Sequence, residues 1–176
     1  MDFGQATPGL EDEYESDDDE LLELPKPMPV ANENRTRRIS SHKSLEDVLQ
    51  SSPIVAAAFK QHLLEEKSVE NLDFLQIVAE SQRRWPNMPI SARRARARLI
   101  YIRFIDPNSP SAINISSSQR DALQVECCKA RPFGESIDIA VFDESAMEIR
   151  RLLELDNLPR FVRSASFIRA MDAVIA

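Results

Sequence analysis

Covalent chemistry needs a nucleophile, a base and often a metal, and this chain offers few candidates for any of them. Its thiols are the adjacent pair Cys127 and Cys128, and its imidazoles are His42 and His62. Adjacent cysteines cannot build a disulfide framework, and no spacing among these four residues suits a zinc site, so no metal and no cofactor is expected. Three glycines in the whole chain are too few for a phosphate-cradling loop or a dinucleotide fingerprint. No hydrolytic set can be assembled, so the chemistry left is that of binding. Asp156 and Arg160 stand four apart, the spacing of a helix ion pair. Ser68 reads as a helix N-cap, Glu70 as a first-turn acid at the positive end of a helix, Asn71 as a helix-start amide, and Asp156 and Asn157 as helix terminators. Asn114 differs: Ile113 and Ile115 flank it, so two apolar neighbours can fix the backbone and leave the amide pointing outward.

The cations gather in two places, Arg83 with Arg84 and the run Arg93, Arg94, Arg96 and Arg98. They read either as a solvated helix face or as a weak contact with anionic lipid. An acidic pI of about 5.0 and the lack of a recognition-helix motif argue against nucleic acid as a partner. Ser40 behind Arg37 and Arg38 suits a basophilic kinase, and Ser16 before a string of acids suits an acidophilic one. A plain solvated linker is the alternative.

These side chains need a scaffold, and 176 residues suit one domain with a tail. Residues 1–34 hold 11 of the 29 acidic side chains, with Lys26 as their one base, and few large apolar residues. Such a composition cannot offset its ordering entropy. Residues 1–40 are therefore expected to be a disordered acidic, Pro-containing tail before a domain over 41–176, and the 142 residues after position 34 carry 21 bases against 18 acids, a net +3.

β-branched residues do not gather into alternating runs, so the domain is expected to be all-α. Ser44 with Asp47 has capping-box spacing and opens a short helix. Pro53 suits the first turn of a second helix, which ends near Glu66 and buries a side formed by Ile54, Ala57, Ala58, Phe59 and Leu63. Its His62 reads as a partly exposed helix residue. Ser68 opens a third helix that buries Leu72, Phe74, Leu75 and Val78 and stops at Trp85-Pro86. Ser91 begins a fourth, whose Leu99, Ile100, Ile102, Phe104 and Ile105 lie on more than one side, as if sandwiched. Ser116 with Gln119 gives a second capping-box spacing for a helix to about Ala130, and a longer connection follows through Pro132 and Gly134. From Phe142 an amphipathic helix carries Ala146, Ile149, Leu152 and Leu153 on its stripe. A final helix, broken from it by Asn157 to Pro159, carries Phe161, Val162, Phe167 and Ile168. No apolar run approaches the roughly 18 to 20 residues that span a bilayer, and the acidic start does not match a secretory signal. A soluble cytoplasmic protein in a reducing compartment is expected.

The order of four blocks is more specific than the helices. SLEDVLQSSPIVAAAFKQHLLEEKSVENLDFLQ, then ARLIYIRFI, then INISSSQRDAL, then FDESAMEIRRLLELDNLPRFVRS together resemble the regulator of G-protein signalling (RGS) box over roughly residues 44 to 170. The resemblance implies a helical bundle of about seven to nine helices, expected to be monomeric, with loops at one end that grip the switch regions of a GTP-bound or transition-state Gα subunit. It implies a GTPase activator without catalytic residues of its own, recruited to the inner face of the plasma membrane. Residue by residue it carries over to Ser68, Glu70 and Asn71 in the first loop, Asn114 in the second, and Leu152, Asp156, Asn157 and Arg160 near the end. The sequence departs from the family where Leu75 replaces a frequent tryptophan, where Ser116 replaces a frequent acid, and in a longer connection from Arg131 to Val141. The alternative reading is an RGS-like docking domain that binds a partner without accelerating hydrolysis.

Overall fold

The computed structural model describes residues 44–130 and 135–175, and every described element is helical or a turn. The acidic tail, with Ser16 and Ser40, lies outside the described residues, as do positions 131–134 of the long connection.

α1 (Leu45–Ser51) starts with the expected capping box: the Ser44 hydroxyl accepts from the Asp47 N–H, and the Asp47 carboxylate accepts from the Ser44 N–H at 2.9 Å. Pro53 opens α2 (Pro53–Glu65), where a missing N–H costs nothing because first-turn amides have no helical partner. The buried face of α2 is Val55, Phe59 and Leu63, at spacings of four. This corrects the expected face, since Ile54 is 48% exposed and Ala57 is exposed too.

α3 (Val69–Arg84) buries Leu72, Phe74, Leu75 and Val78 as expected and passes into a 3-10 turn, Trp85–Asn87. Leu75 and Trp85 are both buried in the single core. α4 (Ile90–Ile100) begins after Pro89, not at Ser91, because proline fixes an extended entry one residue earlier. It widens into a π turn, Tyr101–Ile105, closed by the Asp106 N–H on the Tyr101 carbonyl at 3.0 Å. Ile100, Phe104 and Ile105 are buried, but Leu99 and Ile102 face outward, so this helix is not sandwiched on every side.

α5 (Ser117–Cys128) is capped by the Ser116 hydroxyl, which accepts from the Gln119 N–H at 3.2 Å. The reciprocal half of the expected box is missing, and the Gln119 Oε1 is buried without a hydrogen-bond partner. After Ile137, which is buried, a 3-10 turn at Ile139–Phe142 leads into α6 (Asp143–Leu152). A second π turn, Leu153–Asn157, joins α6 to α7 (Leu158–Arg163). The break expected at Asn157 to Pro159 falls instead at Ser164, whose extended backbone separates α7 from α8 (Ala165–Ile175).

α2 packs on α1 and α8, α3 on α4 and α6, and α4 on α5. Two aromatic clusters fix the geometry. Phe161 stands 5.1 Å from Phe59 and 5.3 Å from Phe167, tying α7 to α2 and α8. Phe74 stands 5.7 Å from Phe104 and 6.5 Å from Phe142, tying α3 to the first π turn and to the start of α6. Each such pair contributes roughly 0.5–1.5 kcal/mol beyond its buried area.

Candidate functional site

The end of α2 builds the first part of the site. The Lys67 N–H bonds the Leu64 carbonyl at 3.1 Å and the Ser68 N–H bonds the Leu63 carbonyl at 2.9 Å, the paired bonds of a Schellman motif. Its left-handed position is Lys67, with φ 53°, where glycine is the usual choice. Ser68 precedes α3 but does not cap it. At φ −138° and ψ 18° its backbone is not extended, so the hydroxyl cannot aim at the α3 amides. That hydroxyl donates to the Leu63 carbonyl at 3.5 Å and accepts from Asn157 Nδ2 at 3.1 Å.

The second π turn supplies the other half. Pro159 has no N–H to continue the helical ladder, and the chain responds by widening: the Leu158 N–H reaches the Leu153 carbonyl. Asp156 and Asn157 therefore sit inside a continuous helix and terminate nothing. Asn157 is 3% exposed, and its Nδ2 donates to Glu66 Oε2 at 2.7 Å. Arg160 donates from Nε to Glu66 Oε1 at 2.6 Å and from Nη2 to Glu66 Oε2 at 3.1 Å. The same guanidinium bonds both oxygens of Asp156, one of them at 3.0 Å, which is the ion pair its spacing suggests. The Arg160 hydrogen bond holds the Glu66 carboxyl below its ordinary value, against the opposing effect of burial, with Asn157 and the nearby His62 adding to the lowering. Glu66 and Asp156 in turn push the Arg160 guanidinium further up, so it stays charged. Leu152, one turn before Asp156, is 36% exposed and lies off the buried stripe on which the helical period put it.

Glu70 sits in the first turn of α3, half-buried. Asn71 is not an outward amide. It is 5% exposed, its Oδ1 lacks a hydrogen-bond partner, and its N–H bonds the Ser68 carbonyl at 3.3 Å.

Asn114 is exposed between Ile113 and Ile115, both buried, as the sequence suggests. The Ile113 N–H bonds the Phe104 carbonyl at 2.8 Å, hanging the loop from the first π turn. Arg120 then gathers three carbonyls, those of Ile105 at 2.9 Å, Ile113 at 3.5 Å and Ile115 at 3.4 Å. Sequence reasoning missed Glu66 and Arg120, the hubs of the two parts. The only signal was a charged residue next to a helix end or in its first turns, which usually reads as a solvated face. No hydrogen bond among the described residues joins Asn114 to the Glu66 cluster.

Residues 44–170 match the regulator of G protein signaling domain. The chain belongs to the RGS family. It is 33% identical to Regulator of G-protein signaling 5 of Rattus norvegicus, over 76% of this chain and 74% of that one. It is 28% identical to Regulator of G-protein signaling 8 of Macaca fascicularis, over 83% of this chain and 67% of that one. Against Regulator of G-protein signaling 7 of Bos taurus the identity is 26% over 96% of this chain, which spans 33% of that protein.

Within this RGS domain three of the clustered arginines are tied to the protein itself. Arg93 bonds the Trp85 and Pro86 carbonyls, Arg94 the Glu135 carbonyl, and Arg96 the Ser81 hydroxyl and Glu80. Arg83, Arg84 and Arg98 are exposed, Arg84 pairing with Glu80. Among the described residues no group of histidine, cysteine and acidic side chains could hold a metal, and no helix is long and apolar enough to cross a membrane.

Proposed function

We propose that this RGS domain binds the switch regions of an activated Gα subunit and accelerates its GTP hydrolysis. The contact set is Ser68, Glu70, Asn114, Leu152, Asp156 and Arg160, with the buried Asn71 and Asn157, both expected as contacts, supporting it from behind. The observation that carries this reading is the network in which Glu66 holds both Asn157 and Arg160, Asp156 shares Arg160, and Asn157 also holds Ser68. Those polar groups are ordered before any partner arrives, so little side-chain entropy is lost on docking.

Gα subunits carry their own arginine and glutamine for hydrolysis, and what limits them is the alignment of those groups with the attacking water. A partner that binds the aligned arrangement more tightly than the ground state lowers the barrier by that difference. About 1.4 kcal/mol of differential binding gives a tenfold faster turnover and about 2.7 a hundredfold, within reach of a few hydrogen bonds. The domain contributes no catalytic group of its own.

Work at the inner face of the plasma membrane goes with a membrane-anchored partner, and contact with anionic lipid would fall to Arg83, Arg84 and Arg98. The test is state selectivity. Affinity is expected to be highest for Gα with GDP and aluminium fluoride, lower with a non-hydrolysable GTP analogue and lowest with GDP. Equal affinity for the three states would replace this reading by a docking role.

A further inference from the structure

His62 lies on α2 one turn before Glu66, with a side chain 12% exposed. Its ring stands 5.5 Å from that of Phe161, and its Nε2 is buried without a hydrogen-bond partner. Glu66 Oε1 stands 3.4 Å away but without hydrogen-bond alignment. That oxygen is the one to which Arg160 donates at 2.6 Å. A buried ring nitrogen left unpaired beside a carboxylate asks for an explanation, since nearly all buried polar atoms are paired.

We propose that His62 is a proton-sensitive positioning residue for Arg160 and Asn157, acting through Glu66. The proposal rests on the Gα-binding reading above. Neutral His62 leaves both Glu66 oxygens to Arg160 and Asn157. An imidazolium at the same place is a second cation on Oε1, attracted by the carboxylate and repelled by the guanidinium a few ångströms away. Arg160 already bonds both oxygens of Asp156, so it keeps that carboxylate and gives up Glu66 as Glu66 turns to His62. The Asn157 amide, bonded to the other Glu66 oxygen, loses its register, and with it the contact to Ser68.

Other charged side chains stand on the helices packed against α2: on α7, beside Arg160, Arg163 donates to the Pro159 carbonyl. On α1, Glu46 pairs with Arg150 and Asp47 closes its own cap. On α3, Asp73 pairs with Lys60 and Arg103, and Glu70 stands in the first turn. On α8, Arg169 bonds Ser166 and Asp172 is exposed. The sensor is therefore His62 with Glu66, read out by Arg160.

The full chain is titrated by NMR from about pH 8 to 5.5, following the His62 ring and the Arg160 Nε–H, and its affinity for Gα with GDP and aluminium fluoride is measured over the same range. H62F keeps a ring against Phe161 and cannot be charged, and H62Q is a neutral polar control should H62F melt markedly lower. The Arg160 signal is expected to move with the same midpoint as the His62 ring in the parent and to stay still in both variants. Parent affinity is expected to fall about threefold or more relative to H62F between pH 7.5 and 6, which also removes any pH dependence belonging to Gα. An Arg160 signal that ignores the His62 titration overturns the proposal, and so does a parent affinity that tracks H62F at every pH. Coupled signals in a protein that binds Gα at no pH would overturn the Gα reading and leave the coupling standing.

Discussion

Asn114 carries an amide that can both donate and accept, held at the crest of a loop whose neighbours are buried. On the proposed function, Asn114→Ala cuts single-turnover acceleration of Gα at least tenfold, about 1.4 kcal/mol of transition-state stabilisation. Its thermal unfolding is expected to stay within about 0.5 kcal/mol of the parent, because an exposed amide leaves no buried group unpaired. Full acceleration by a well-folded mutant would take Asn114 out of the mechanism.

Glu66 gives a different signature. Its carboxyl is lowered in the folded protein from the usual 4.5, chiefly by the Arg160 hydrogen bond, so it contributes stability above that value and loses it as pH falls through the lowered one. Glu66→Gln should therefore melt below the parent at pH 7, and the gap should close as pH falls through the lowered value, below which both chains are neutral at this position. A gap constant with pH would mean that Glu66 acts by shape alone.

At the scale of elements, the two parts of the site hang from the two π turns, and neither turn is visible in the sequence. The hydrophobic period finds every helix except that it runs α7 and α8 together, and most of the buried residues, because Phe74, Val78, Ile149 and Leu153 obey a spacing that any helix requires. The Ser44 cap and Pro53 at the start of α2 were legible for the same local reason. A π turn is set by tertiary demand. Pro159 looked like a break because a proline removes a ladder bond, yet burial of Leu158, Phe161 and Val162 holds the helix together across it. Ser68 looked like a cap because capping is a local rule, and Asn157, distant in sequence, claimed its hydroxyl. The site residues were named by resemblance, and their hubs, Glu66 and Arg120, only became visible once distant elements met.

Arg120 makes the element-scale prediction. Its guanidinium ties the exit of the first π turn to both sides of Asn114. Arg120→Lys keeps the charge but not the fork, and a point donor cannot serve three carbonyls. Acceleration should fall severalfold, with a stability loss of about 1–2 kcal/mol from carbonyls returned to poorer partners. Unchanged acceleration in a destabilised mutant would show that the Asn114 loop keeps its shape without this clamp.

Over the whole molecule charge is divided unevenly. Residues 1–34 hold 11 of the 29 acids against one base, whereas residues 44–176 are close to neutral, with 17 bases and 18 acids, and expose Arg83, Arg84 and Arg98. Three of the six clustered arginines serve the fold itself, which leaves a modest cationic surface for lipid. Each exposed cation near an anionic membrane is worth on the order of 1 kcal/mol, so a tail of net negative charge on the same chain is enough to offset the attraction. Deleting residues 1–38 should therefore raise affinity for phosphatidylserine-containing vesicles at low salt. The gain should shrink as ionic strength rises, because the Debye length falls from about 30 Å at 0.01 M to about 8 Å at 0.15 M. Arg83→Glu with Arg98→Glu in the shortened chain should abolish the gain while leaving acceleration of soluble Gα unchanged. The melting temperature of the shortened chain should lie within about 5 °C of the full one, since a segment this poor in apolar side chains contributes little to a core. A gain that persists at every salt would point to specific masking of the arginines by the tail, and no gain at any salt would remove the tail from membrane control.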